Sequence, residues 1–524
     1  MKYYHARLKE LSGHTLEAEA DYRELVDSPG SDPQLRAYAN FDTGSIIARD
    51  PARLASEGAA LAAQAFLRRS LEVGGELDTR LIFAHAQLAQ LHRNFGRIDL
   101  ALKELHAQYS AFESRNYVVG MVSTLSDMKD TFGILGDWKN AYRSHSDGLH
   151  LLRRLPQSDF LKVRLGLTPW VYIWSGRLQE AAAAAHEAIG YFQKADLKQP
   201  AMIVQKDLAL SLGMQDQYAK AEELFTRLND EYFKPRREHR SRDYASFLGF
   251  WGSILLRCGE LRRAEGLLLE SYALKKDILD FVGLPEVTVW LGQLSQARSL
   301  LASGTERVRL LREADQFYRT TIDEDPVGRL YFRSIAMAGR ARISYWLEDD
   351  QSFCHHFQAS RGLAEAYEYN DVLACLHLLE GYAKSYKPMH DTPGFKLTSK
   401  PDQDGAVRSY YAALIYALRY NRYLLDRVLS GQACHDCEMG IAPACVAQPG
   451  FGTQILKKVR SLWLSGRNKL ENDLTDTISP IPVDIPLVDA EETARVREIG
   501  DIKPQKEIRW QIDEALARAD AASQ

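Results

Sequence analysis

Four stretches of the chain end a helical run in a small turn and restart it five residues later on an alanine. They are Gly96-Arg-Ile-Asp-Leu-Ala101, Gly136-Asp-Trp-Lys-Asn-Ala141, Gly176-Arg-Leu-Gln-Glu-Ala181 and the looser Met214-Gln-Asp-Gln-Tyr-Ala219-Lys-Ala221. The alanines at 101, 141, 181 and 221 stand forty residues apart, so the sequence contains an internal repeat. A helix pair of that length cannot bury its apolar stripe alone. Neighbouring pairs must stack into a solenoid, whose curved inner face is the usual working surface.

The repeat continues in both directions with looser spacing. Gly259-Glu-Leu-Arg-Arg-Ala264 carries the same phrase, and a weaker unit follows around Ala314 and Tyr318. Upstream, Gly13-His-Thr-Leu-Glu-Ala18 matches well, and the alanine-rich run from Ala59 to Leu71 supplies a degenerate unit. Glycine ends the first helix of each pair because it accepts left-handed backbone without a Cβ penalty. Alanine belongs where the two helices come closest, and an aromatic or leucine one turn later fills the adjacent gap. Tyr22, Leu105, Phe225 and Leu268 occupy that later position.

These residues resemble the tetratricopeptide repeat (TPR) family, whose pattern adds a Leu-Gly or Leu-Ala pair inside the first helix. Leu88-Ala89, Leu208-Ala209 and Trp251-Gly252 stand where that pattern asks. Some units depart from it: Lys129 and Pro169 take the small-residue position, and His145 and Ala185 replace the aromatic. The period also exceeds the roughly 34 residues of the standard repeat. It is similar to the longer repeats of bacterial signal-transduction ATPases and their regulators. The resemblance implies an all-α fold, a right-handed α-solenoid of antiparallel helix pairs with an irregular helical C-terminal region. The expected organisation is a TPR-like superhelix over 1–330, divergent repeats over 331–430 with a long loop near 387–405, and a C-terminal region over 431–524.

Composition agrees with a soluble repeat protein: 524 residues, 45% hydrophobic, 26% charged, with a formal net charge of −4. That balance argues against a dedicated nucleic-acid binder. No apolar run approaches the roughly 20 residues needed to cross a bilayer, and the first ten residues are amphipathic rather than signal-like. Six cysteines in so long a chain fit a reducing compartment, so a cytoplasmic location is expected. The first helix has no capping segment before it. It is either a cap itself or the remnant of a longer ancestor with an upstream domain.

After about residue 330 the glycine turn is lost. Helices are expected over 330–346, 352–367 and 371–385. A further helix over 406–429 carries Tyr416, Tyr420 and Tyr423 on one face, and packing against the preceding pair is the simplest role for them. Cys434-x-x-Cys437 has the spacing at which two thiolates reach one tetrahedral zinc, and Cys445 could add a third. A structural site wants four ligands and no second pair follows, so unligated loop cysteines remain the simpler reading and no cofactor is expected. Residues 453–473 read as a basic amphipathic helix. The proline-rich 478–486 reads as a strap, and 503–521 as a closing or docking helix.

No phosphate loop, His-Glu-x-x-His pair, Gly-x-Ser-x-Gly elbow or dinucleotide fingerprint occurs, so the chain reads as a non-enzyme. His355 and His356 are adjacent on a helix, about 100° apart, and serve one ion poorly. The basic run Lys234, Arg236, Arg237, Arg240 and Arg242 lies between repeats as a candidate phosphate or acidic-partner site. The TPR resemblance implies a concave face built by the first helices, fifteen, eleven, eight and seven residues before each turn alanine. Carried onto this chain, those positions are Gln90, Arg93 and Asn94, then Ser126 and Asp130, Trp170 and Trp174, Lys206 and Leu210, and Ser253 and Arg257. A polar floor with an aromatic centre suits an extended peptide or helix. The expected function is a protein- or peptide-binding scaffold or sensor, within a bacterial signalling or defence pathway. The alternative is a ligand- or peptide-responsive regulatory domain that switches an output partner.

Overall fold

The computed structural model describes residues 1–28, 30–50, 53, 57–74, 78–155, 169–236, 241–280, 282–325 and 328–386, with 409, 412–413, 416–417 and 419–420. Every regular element among them is helical. The chain forms two compact units, Met1–Leu135 with Asn140–Leu165, and Gly136–Lys139 with Gly166–Gln524.

In the first unit, α1 (Lys2–Leu11) pairs with α2 (Thr15–Asp27), and α3 (Pro33–Arg49) with α4 (Glu57–Gly74). The short α5 (Thr79–Ile82) leads into α6 (Ala84–Asn94) and its partner α7 (Ile98–Glu113). Then follow α8 (Val118–Leu135) and α9 (Trp138–Leu152), whose first two residues, Trp138 and Lys139, belong to the second unit. In the second unit the pairs are α10 (Pro169–Trp174) with α11 (Leu178–Lys194) and α12 (Lys198–Met214) with α13 (Tyr218–Leu228). A π-helical turn, Asn229–Phe233, and the three-residue α14 (Lys234–Arg236) lead on to α15 (Arg242–Arg257) and α16 (Leu261–Asp277). They are followed by α17 (Leu284–Leu301) with α18 (Gly304–Asp323), α19 (Leu330–Trp346) with α20 (Asp350–Ala366), and α21 (Asn370–Tyr386). Within each unit successive pairs pack on one another, which is the TPR-like arrangement the repeat implied.

The repeat phrase maps onto the core. Ala18, Ala101, Ala141, Ala181, Ala221, Ala264 and Ala314 are all fully buried, and so are Tyr22, Leu105, Phe225 and Leu268 one turn later. The alanine lets the paired helices close, and the larger residue then takes up the apolar surface, worth about 1.5–3 kcal/mol per side chain. His145 and Ala185, the exceptions at that position, are buried as well. Lys129, in a small-residue position, is buried with its ammonium 3.2 Å from Asp130.

Left-handed backbone marks the turns inside the pairs: Gly13, Gly96, Gly136, Gly176 and Gly259 all have positive φ. Asp216 takes the same conformation at φ 60°, forty residues after Gly176, and Glu348 does so at φ 62° between α19 and α20. A second series, Asn116, Asp196, Leu279 and Glu368, adopts it in the turns that join one pair to the next.

Candidate partner-binding face

The candidate residues divide between the two units. In the first, Gln90, Arg93 and Asn94 lie on the last turns of α6. Gln90 Nε2 donates to Asn94 Oδ1 at 2.8 Å, and Arg93 also donates to the Gln90 side-chain carbonyl. The guanidinium reaches across to α8, donating through Nη1 to Asp127 O at 3.4 Å and Thr131 Oγ1 at 3.3 Å. Gln90 and Asn94 are exposed, Arg93 and Asp130 are half-buried, and Ser126 is buried. An amide, a guanidinium and a second amide are thus held in a fixed geometry on an accessible helix face, with donors and acceptors left over for a ligand.

In the second unit, Trp170 and Trp174 are half-buried in an aromatic cluster. Trp174 stacks on Trp138 with ring centroids 5.8 Å apart, and meets Tyr331 and Phe332 edge-on at 5.8 and 5.7 Å. Trp170 meets Trp138 edge-on at 6.2 Å, and Tyr331 lies 5.5 Å from Trp138 and 5.1 Å from Tyr369. Polar contacts close the same clasp: Tyr369 Oη donates to Gly136 O at 2.9 Å, and Lys139 pairs with Glu368 at 2.6 Å. Tyr331 Oη donates to Asp371 Oδ2 at 2.5 Å, and burial holds the Tyr331 phenol protonated far above its ordinary range. Gly136 leaves room for this approach, since a Cβ there would stand 3.0 Å from the Tyr331 backbone nitrogen. Tyr420 crosses Gly176 closely, and Tyr416 stacks on His377 at 5.3 Å, in keeping with a packing role for this tyrosine face. Tyr423 lies outside the described residues.

Lys206 lies beside a buried group of charges. Its ammonium sits 5.0 Å from the centre of the Phe250 ring and 4.0 Å from Asp207 Oδ1. Leu210 and Ser253 are buried, and Arg257 is half-buried, 3.9 Å from Asp216. Nearby, the fully buried Lys275 lies 3.5 Å from Asp280 and 3.9 Å from Glu286, and Arg242 pairs with Asp280 at 2.7 Å. Arg329 donates to Val282 O at 2.5 Å and covers the Phe332 ring. Burial pushes the Asp207 carboxyl up to about 6, with Lys206 opposing and Glu286 and Asp243 adding to the rise. Burial likewise raises Glu286 and lowers Lys275.

Sequence reading missed this charge group, although one signal for it existed. Lys275 stands eleven residues after Ala264, where other units place the buried Phe112, Phe192 and Tyr232. A lysine in a core position of the repeat announces buried counter-charges. The basic run is only partly described: Lys234 pairs with Asp230 at 2.6 Å and Arg242 with Asp280, while Arg237, Arg240 and the Arg236 side chain lie outside the described residues. Cys434, Cys437 and Cys445 lie outside them too. Among the described residues no group of three or more metal-ligating side chains occurs, and no helix is long and apolar enough to cross a membrane.

The stacked helix pairs and their buried alanine seam define a TPR-like helical-repeat protein. No family model and no curated protein matches the chain. Among solved structures it is similar to the human IFIT1 dimer with m7Gppp-AAAA, at 12% identity over 98% of this chain and 95% of that one, with a TM-score of 0.44. It is also similar to the P58(IPK) TPR domain, at 13% identity over 71% and 97% with a TM-score of 0.20. A third is Naa15/Naa10 bound to HypK-THB, at 11% over 99% and 93% with a TM-score of 0.21.

Proposed function

We infer that the chain is a non-enzymatic interaction scaffold whose first unit holds an extended peptide segment of a protein partner. The observation that carries this reading is the Gln90–Arg93–Asn94 strip on α6, with Gln90 and Asn94 exposed and the half-buried Arg93 guanidinium anchoring it to α8. Side-chain amides beside a fixed guanidinium can hydrogen-bond a peptide backbone and pair with a carboxylate on it. Asp130 on the neighbouring helix and the net charge of −4 favour a peptide over a polyanion. The long-repeat resemblance supports a scaffold that works in the cytoplasm beside a signalling ATPase, within a bacterial signalling or defence pathway. The test is an unbiased pull-down with the full chain and with Gln90, Arg93 and Asn94 replaced together by alanine. Loss of one or more partners supports the reading, and an unchanged partner list refutes it.

The aromatic clasp favours a second reading, a regulatory domain that responds to a ligand or peptide by switching an output partner. Trp170 and Trp174 stand at groove positions, yet Trp174 packs on Tyr331 and Phe332 of α19. A ligand taking that position would have to displace α19 side chains, which couples occupancy to the arrangement of downstream helices. Hydrogen exchange in α19 that stays unchanged on partner binding would rule this out.

A further inference from the structure

Arg340 stands at a position where other units carry apolar side chains. Eight residues before the left-handed turn residue of their pairs, Leu88, Met128, Leu208 and Trp251 are buried, and Trp251 stacks on Phe225 of the preceding pair at 5.9 Å. Arg340, eight residues before Glu348, likewise reaches the preceding pair, where its Nε donates to Asp315 Oδ1 on α18 at 2.8 Å. Arg319, one turn further along α18, places its own Nε 2.8 Å from Asp315 Oδ2. Each guanidinium thus spends Nε on the shared carboxylate, and the Nη groups of both are left with no acceptor among the described residues. Glu19 shows the saturated alternative, taking four donors from Arg23 and Arg53. From α20 the half-buried His356 faces the same two guanidiniums, with His355 beside it. The carboxylates that face His356 are both committed: Asp315 lies between the arginines, and Asp349 accepts from the Ser352 backbone at 3.0 Å.

We propose that Arg319, Arg340 and His356 form a binding site for a phosphate monoester between the second helices α18 and α20. Asp315 holds two guanidiniums by their Nε atoms on either side of one carboxylate, so the donors left over are the Nη pairs that grip a tetrahedral oxyanion. A phosphate monoester brings three acceptor oxygens and close to two negative charges, more than a carboxylate ligand offers to two guanidiniums and an imidazole. Burial above all, then Arg340 and His355, hold the His356 imidazole down at about 4, with Arg319 adding to the fall and Asp315 opposing it. The ring is therefore neutral near pH 7, and a dianion placed beside the guanidiniums reverses that balance and draws a proton onto it. The net charge of −4 supplies no broad basic surface to follow a polyanion, which suits a single monoester rather than a nucleic acid. A core position given over to an arginine, which elsewhere holds leucine, methionine or tryptophan, is a local departure of the kind that repeats make for function.

The experiment is titration calorimetry of the full chain with inorganic phosphate and with a short phosphoserine peptide, its unphosphorylated form serving as control. Arg340→Leu installs the residue found at Leu88 and Leu208, so the fold should be kept, and binding should weaken about ten-fold or more. Arg319→Gln alters an exposed side chain and should weaken binding in the same direction, which keeps the test readable should Arg340→Leu unfold. Repeating the titration at pH 6 in two buffers of different ionisation heat reads proton uptake, and His356→Gln should take up less than the unmodified chain. Tighter binding of the peptide than of inorganic phosphate supports the site and assigns it to a phosphorylated partner, and the reverse order supports it and assigns it to the free ion. Absence of binding by both probes, equal binding of the phosphorylated and control peptides without binding of inorganic phosphate, or affinities unchanged in both arginine variants overturns the proposal.

Discussion

Replacing Asp207 with asparagine should change how the second unit responds to pH. The Asp207 carboxyl is 4% exposed on α12, with the Lys206 ammonium 4.0 Å away, and Glu286 and Asp243 oppose its ionisation. Its folded-state value of about 6 lies roughly two units above the ordinary 3.8, a penalty of about 3 kcal/mol on the folded state once the group is ionised. Below the ordinary value both states hold the proton and the penalty is absent. Between about 4 and 6 the unfolded chain releases the proton while the folded chain keeps it, so stability falls as pH rises; above about 6 the loss is complete. Asp207→Asn removes this slope. Lys206 loses its counter-charge, which trims the gain at pH 7.5 to about 1–3 kcal/mol. Urea midpoints for the second unit's transition, taken at pH 5 and pH 7.5 with unchanged m-values, measure the difference directly. Lys206→Met gives an independent check on the sign, since removing the cation should push the Asp207 titration higher. Parallel pH dependences for Asp207→Asn and the unmodified chain would refute the reasoning.

Gly136→Ala should destabilise more than Gly13→Ala although both backbones are left-handed, at φ 86° and 84°. At Gly13 the added methyl meets open space and costs about 1 kcal/mol of strain, while at Gly136 it also collides with the Tyr331 backbone. Equal melting temperatures for the two variants would contradict the clasp. Leu279 is 67% exposed and left-handed at φ 54°, so Leu279→Gly should raise stability by about 1 kcal/mol. A lower melting temperature for that variant would show that the leucine makes contacts worth more than its strain.

The alanine step made the helix pairs legible because close helix packing accepts few side chains at that point, and Ala101, Ala141, Ala181 and Ala221 are all buried there. Asp216 was within reach of the same arithmetic, since it stands where Gly176 stands one period earlier. The turns between pairs were not, because Asn116, Asp196, Leu279 and Glu368 share a backbone conformation without sharing chemistry. Groove positions carried over from the resemblance located Gln90, Arg93 and Asn94 on an accessible face. The same rule selected Ser126, Lys206 and Ser253, which neighbouring helices cover. Nothing local in the sequence ties Trp138 and Gly136 to Tyr331 and Tyr369. That association depends on how many pairs intervene and on the small rotation each contributes, a sum that a periodic pattern does not carry.

The hydrogen bond from Tyr369 to Gly136 spans 233 residues, and it alters when the second unit can finish folding. A repeat array can assemble pair by pair as it leaves the ribosome, because each pair needs only its neighbour. Here Trp138 and the Gly136 turn must wait for residues 331–369 before their last contacts exist. At about 5–20 residues per second that interval is on the order of ten to fifty seconds. During it Trp138 and Trp174 lack Tyr331 as a covering partner, and Trp174 lacks Phe332 as well. The newly made chain thus presents its aromatic surface longest at the residues that later close the unit, where a chaperone or a premature partner would find it.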